Sequence, residues 1–336
     1  MKIMKEYDVT ALGELLIDFV EDGISEKGNP TFEANPGGAP CNLLAMLQKL
    51  GDKTAFIGKV GDDMFGNMLE KRAGSTGIDL RALVKDPVVH TTLAFVHTLE
   101  DGDREFSFYR NPGADMMLTA KEVEANRDLI EKATIFHYGT LSMTDDVVEA
   151  ASVKALQIAK EAGCILSFDP NLRPPLWSSE EKAKEKISYG LGLCDVLKIS
   201  DNEIEFMTGK TDLEEGVYDL IRLYHTPLIL ATYGKDGSKA YYLPKEKRGE
   251  GAGPEDYIKV FVPGFVNPDT IETTGAGDCF GGCSLHYVLK YGLDNFDEDK
   301  LKELLTFANG AASIVTTRKG ALCVMPEEKE VLDFIG

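Results

Sequence analysis

The sequence predicts an α/β protein: a largely parallel sheet covered by helices on both faces, with a small β accessory. Two observations carry this. From Ala133 onward, short apolar strands alternate with amphipathic helices, the rhythm of a parallel sheet buried on both sides. Nearer the start, two stretches are strand-like without intervening helices. A length of 336 residues is enough to bury such a core without disulfide or metal staples.

A strand at Tyr7–Leu12 is broken by Gly13, and Glu14–Val20 is again extended. A polar stretch with Gly23, Gly28 and Pro30 follows. After Pro36-Gly37-Gly38 the pattern turns helical from Asn42 and stops at Gly51. A strand at Thr54–Gly58 and a helix over Asp63–Ala73 come next. Thr91–Thr98 and Glu105–Tyr109 read as a hairpin turning at Glu100-Asp101-Gly102-Asp103. Strands at Ile135–Tyr138, Ile165–Phe168, Val196–Ile199 and Leu228–Ala231 then alternate with helices at Asp145–Ala162, Ser179–Leu193 and Asn202–Met207. Lys245–Asp256 is a charged, Gly-rich loop between strands. Two long helices, Ala276–Tyr291 and Asp297–Thr317, occupy the last third.

The net charge of −20 repels a phosphate backbone, so nucleic acid is not an expected partner, and a bound anion needs a local site built against the global field. The six cysteines, Cys41, Cys164, Cys194, Cys279, Cys283 and Cys323, form no C-x-x-C pair and read as reduced thiols. Met1–Asp8 lacks the apolar core of a signal peptide, and no run approaches membrane-spanning length. A cytoplasmic location without a membrane partner is expected.

The most informative segment is Glu272-Thr273-Thr274-Gly275-Ala276-Gly277-Asp278. Small residues open a helix there, so the amides of Gly275, Ala276 and Gly277 can face a ligand with the helix dipole behind them. An acid beside an anion hole makes sense if Asp278 takes a proton while the hole holds developing negative charge. The competing reading is a glycine-rich helix start with an ordinary first-turn Asp. A second constellation is Asn35-Pro36-Gly37-Gly38-Ala39-Pro40-Cys41-Asn42. Its glycines permit close backbone approach and Asn42 offers both a donor and an acceptor. Taken alone, it is equally a turn and a helix cap. Gly209-Lys210-Thr211 has the end of a phosphate-binding P-loop, but Ile204 stands where its first Gly belongs. No dinucleotide fingerprint follows the first strand, which argues against an NAD-dependent oxidoreductase. The five histidines lack ligand spacing.

Together, Gly37-Gly38-Ala39-Pro40-x-Asn42 and Thr273-Thr274-Gly275-Ala276-Gly277-Asp278 resemble the paired signatures of the ribokinase-like (PfkB) carbohydrate kinases. The landmarks between them occur in order: Asp18, then Asp169-Pro170-Asn171-Leu172-Arg173, then Asn309 and Thr317–Ala321. Within that family, Gly13–Asp18, Phe108–Asp115 and Asn171–Trp177 are most similar to fructokinases. The alternatives are 2-keto-3-deoxygluconate kinase or ribokinase of the same family, or a non-catalytic sugar sensor, which would have no need of Asp278.

The resemblance implies a Rossmann-like three-layer α/β/α ribokinase-like fold with a small β-sheet lid. The main domain would comprise residues 1–13, 37–87 and 116–336, and the lid 14–36 and 88–115. It implies ATP-dependent phosphorylation of D-fructose, with Asp278 as general base and Gly275, Ala276 and Gly277 as the anion hole. Asp18, Gly37, Gly38, Asn42, Arg110 and Arg173 would contact the sugar or its phosphate. Lys198, Thr232, Gly234, Gly237, Gly275, Gly277 and Asn309 would line the ATP site. Glu203 would hold Mg²⁺ through water, although Ser200 replaces the Asn usual in that motif. Glu272 stands where Asp is usual, near a monovalent cation site for K⁺. An open β lid also invites a partner strand, which makes a homodimer through the lid the expected assembly.

Overall fold

The computed structural model describes residues 5–98, 104–249 and 251–336. The predicted turn at Glu100–Asp103 lies outside them. The large sheet has nine strands: β1 (Tyr7–Leu12), β4 (Thr54–Gly61), β5 (Asp79–Asp86), β8 (Ala133–Gly139), β9 (Ile165–Asp169), β10 (Val196–Ser200), β11 (Leu228–Thr232), β12 (Ser238–Tyr242) and β13 (Ile258–Val262). Their order is β13-β12-β11-β10-β9-β8-β1-β4-β5. Every pairing from β5 to β11 is parallel, whereas β12 and β13 are antiparallel additions at one edge.

Eleven helices accompany the strands among the described residues: α1 (Ala39–Lys49), α2 (Met64–Gly74), α3 (Ala120–Ala125), α4 (Arg127–Glu131), α5 (Asp146–Glu161), α6 (Glu180–Leu191), α7 (Asp201–Thr208), α8 (Leu213–Tyr224), α9 (Ala276–Tyr291), α10 (Glu298–Val315) and α11 (Glu328–Ile335). They form two layers because strand side chains alternate between faces. In β11, Leu228 and Leu230 join a core with α1, α2, α9, α10 and α11, whereas Ile229 and Ala231 join one with α3–α8. This is the predicted three-layer α/β/α architecture. None of the described helices is long and apolar enough to cross a membrane.

The second sheet has four strands, ordered β3-β2-β6-β7: β2 (Leu16–Ile24), β3 (Pro30–Gly37), β6 (Leu93–Thr98) and β7 (Arg104–Tyr109). The expected hairpin is present as β6–β7, beginning two residues later than the sequence suggests. β3 occupies what reads as a polar stretch. Its first four residues are exposed on an edge, so no apolar alternation marks it, and Pro30 stands at its first position, where a missing amide costs little. Lys245–Asp256 contains two 3₁₀ turns, Lys245–Lys247 and Pro254–Asp256. Helix α1 starts at Ala39 rather than Asn42, with Pro40 in its first turn, a position that suits proline.

Candidate active site

The carboxyl ends of β1, β8, β9, β10 and β11 face one side of the large sheet, and strand order reverses between β1 and its neighbours. In open α/β sheets this is where ligands bind. Two cavities lie there. One, of about 850 Å³, is bounded below by the segments leaving β1, β8, β9 and β10, and above by Leu16, Asp18, Val96 and Phe108 of the small sheet. The other, of about 530 Å³, runs outward past Thr232, Gly234, Gly237 and Asn309. Lys198, Ser200, Thr273 and Gly277 line both, so the cavities meet at the start of α9.

Asp278 stands at that junction, on the first turn of α9. Its Oδ2 accepts a hydrogen bond from Asn42 Nδ2 at 2.8 Å, joining residues 236 positions apart. The two helices come this close because α9 carries glycine at the crossing: a Cβ on Gly282 would meet the Leu43 carbonyl and the Met46 side chain at 2.8 Å. Burial, with Asp169 adding to it, pushes the Asp278 carboxyl up to about 6, against the lowering effects of Asn42, Lys198 and Arg173. A carboxyl poised there is ionised at neutral pH and basic enough to take a proton. Asn42 Oδ1 is buried without a hydrogen-bond partner, an acceptor left for a ligand hydroxyl.

Gly275 caps α9 in the left-handed region, φ 78°. Gly275 and Gly277 line the inner cavity and Ala276 the outer one, although the Ala276 amide also makes a long 3.3 Å bond to the Thr273 carbonyl. Lys198 Nζ pairs with Asp169 Oδ2 at 3.0 Å. Burial works against its charge, but Asp169, Glu203 and Asp278 outweigh that and hold it above the usual lysine range. Asp18 faces the same space. Burial raises it to about 7, with Arg173 opposing and Asp278 and Glu272 adding to the rise. Gly37 does not line the cavity; it packs behind Asp18, whose carboxylate fills the place a Cβ would take. Gly38 lies at φ 124° against the Glu14 carbonyl.

Four expected residues have polar atoms committed to protein partners. Arg110 does not line the cavity; its side chain is 2% exposed and bonded to Asp115, Thr144 and Leu141. Asn309 lines the outer cavity, but Oδ1 accepts from Ser238 Oγ at 2.8 Å, and Nδ2 donates to the Val262 and Pro263 carbonyls at 3.1 and 3.3 Å. It shapes the wall. Glu203 completes a capping box on α7: Oε2 accepts from the Ser200 amide and hydroxyl at 2.8 and 2.9 Å, and Oε1 from the Leu172 amide at 2.8 Å. Glu272 Oε1 accepts from the Gly320 amide at 2.7 Å. No group of three or more His, Cys, Asp or Glu among the described residues is arranged to hold a metal by itself.

Sequence reasoning passed over Glu14. It is 4% exposed, lines the cavity, accepts from the Ala39 amide at 3.0 Å, and is raised to about 7, chiefly by burial. Its signal was a lone charge at the head of an apolar extended run.

The family model for pfkB family carbohydrate kinases matches residues 7–328. The chain belongs to that family. It is 42% identical to fructokinase-1 of Zea mays over 329 residues, 97% of each chain. A crystal structure of Xylella fastidiosa fructokinase with bound ATP superposes with a TM-score of 0.83 at 30% identity, covering 98% of both chains. A double mutant of the Vibrio cholerae fructokinase, in a form with fructose, ADP and a potassium ion, gives 0.82 at 27% identity, covering 99% of this chain and 100% of that one.

Proposed function

We propose that the enzyme is a fructokinase that transfers the terminal phosphoryl group of ATP to the C6 hydroxyl of D-fructose. The observation that carries this reading is Asp278, fixed by Asn42 where the inner cavity meets the outer one. Fructose lies under the small sheet, with Asp18 and the free Asn42 Oδ1 on its hydroxyls. A primary hydroxyl on a flexible carbon reaches Asp278, which accepts its proton as the oxygen attacks phosphorus. The Gly275–Gly277 amides, Lys198 and Arg173 meet the charge on the transferring group. ATP occupies the outer cavity along Thr232, Gly234, Gly237 and the wall built by Asn309.

Glu203 and Asp278 line the inner cavity beside Lys198, and Glu203 already accepts from Ser200 and Leu172, so a divalent cation arriving with the triphosphate would meet it through water rather than directly. Glu203 would hold Mg²⁺ through water, and the ion would neutralise phosphate charge. A potassium ion beside Glu272 belongs to the same reading, which potassium-for-sodium exchange during turnover tests.

Residues 14–36 and 88–115 act as a lid on a main domain of 1–13, 37–87 and 116–336, excluding water when sugar binds. A homodimer through that lid is supported by its aromatic outer face: Phe95 stacks on Phe19 and touches Phe32 and Tyr109, which are 41% and 66% exposed. Sedimentation velocity tests it. Five buried free cysteines and one exposed one suit a reducing cytoplasm.

The deciding experiment is ADP release measured across fructose, ribose, glucose, mannose, ketodeoxygluconate, adenosine and fructose 6-phosphate, with the phosphate position read by NMR. Fructose giving the highest kcat/KM and a 6-phosphate product is expected. Preference for ketodeoxygluconate or ribose overturns the substrate.

A further inference from the structure

The small sheet joins the large one at four crossings, and buried polar groups tie all four together. Thr92 leads into β6 and Arg110 leaves β7. Asp115 binds both: one carboxylate oxygen accepts from the Thr92 hydroxyl and the other from Arg110 Nε at 2.7 Å. One terminal nitrogen of Arg110 then reaches Thr144 Oγ1 and the other the Leu141 carbonyl, each at 2.8 Å. Leu141 and Thr144 belong to the turn after β8 of the large sheet, and Leu141 lines the inner cavity. The remaining crossings stand alongside. Glu14, on the way into β2, accepts from the Ala39 amide just beyond β3, and the Ile17 amide donates to the Thr92 carbonyl at 3.2 Å. The Arg110–Asp115 pair acts electrostatically on Glu14.

We infer that Arg110 is a positioning residue, the post that sets the small sheet over the large one. It fixes how far Asp18, Val96 and Phe108 stand from Asp278 without touching the sugar. Its position after β7 suggests a substrate contact from sequence alone, but it does not line the cavity, and each of its three nitrogens is bonded to a protein acceptor. The chemistry suits a guanidinium: acceptors in three directions need a rigid planar fork, which one ammonium nitrogen cannot supply. The Leu141 carbonyl makes the link direct, because the residue whose carbonyl Arg110 holds is itself part of the cavity wall.

This inference rests on the sugar occupying the inner cavity, so the wild-type enzyme is first assayed across the sugar panel and its best acceptor is used throughout. A wild type that phosphorylates no sugar refutes the kinase reading itself, before any variant is compared. The variants are Arg110→Lys and Thr144→Val, the second removing one of the three acceptors and leaving the Arg110–Asp115 pair intact. Expected is a sugar KM raised about tenfold or more in Arg110→Lys and a smaller rise in the same direction in Thr144→Val. The ATP KM should stay within about twofold and kcat at saturating sugar within about threefold, with the ranking of sugars unchanged. Hydrogen exchange over residues 16–24 should then need proportionately more sugar before it slows.

A changed ranking of sugars in Arg110→Lys with Thr144→Val silent would mean that Arg110 contacts the substrate. Lowered melting temperatures with an unchanged sugar KM would make the network a stabilising one only. Either result overturns the inference. Should Arg110→Lys fail to fold, Thr144→Val decides on the same measurements.

Discussion

Replacing Asp278 by Asn should remove most of the turnover and stabilise the empty enzyme in one step, and the second effect has a definite pH signature. The carboxyl is raised from 3.8 to about 6, first by burial. A folded-state value above the unfolded one means that the group contributes stability below about pH 4, which is lost as pH rises through about 6. The gap of about two pH units corresponds to about 3 kcal/mol at about 1.4 kcal/mol each, and to about 1–3 kcal/mol once residual water contact at the cavity wall is allowed for. Asn is a neutral stand-in for the protonated acid and can still accept from Asn42. Near pH 8 the variant should therefore melt about 2–6 °C above wild type, taking about 2 °C per kcal/mol for a chain of this size. Near pH 4.5 the difference should have mostly disappeared. Differential scanning calorimetry of both proteins, without sugar or nucleotide, across that range reads the effect. The coupled assay should show kcat reduced on the order of 10²–10⁴-fold. A variant no more stable than wild type near pH 8, or a gain that does not change with pH, would refute the argument that an ionised, buried carboxylate stands there. Near-normal turnover would refute its role as base.

Asn42→Asp places a like charge against Asp278 in place of a donor, so the acid limb of the kcat/KM profile should move up by about one pH unit or more; a pH–rate series from about 5 to 9 checks it. Gly277→Ala puts a methyl group 3.3 Å from Lys198 Nζ, in the passage between the cavities. Initial rates should show kcat/KM for ATP falling by about 10–100-fold with the melting temperature retained. Gly38→Ala combines a φ of 124° with a clash on the Glu14 carbonyl, so it should cost about 1–3 kcal/mol or more and melt several degrees lower by calorimetry.

The sequence made legible what is chemically local. Asp278 directly follows the Gly275-Ala276-Gly277 run that opens α9, and β8 to β11 announce themselves because both of their faces are buried. Direction was not legible. Arg110 and Arg173 are both arginines at strand or loop ends, yet Arg173 lines the cavity while the Arg110 guanidinium turns back towards Asp115. Nothing in a one-dimensional pattern separates them, since the acceptors that decide the matter lie as far off as Leu141 and Thr144. Asn309 lines the outer cavity, but its polar atoms are taken by Ser238, Val262 and Pro263, on or just after strands whose antiparallel pairing is hidden by the long loop between them. β3 was missed because an exposed edge strand needs no apolar alternation. Glu14 was missed because a single acid in an apolar run looks like the last residue of a loop.

The Asn42–Asp278 contact depends on features that a scan for chemistry passes over. Each residue sits in a recognisable motif, but the motifs meet only because Gly282 lets α9 settle against Leu43 and Met46 of α1. The glycine that continues the small-residue run at the start of α9 therefore serves helix packing. A side chain at that position would move Asp278 away from Asn42 while leaving the residues of both motifs unchanged.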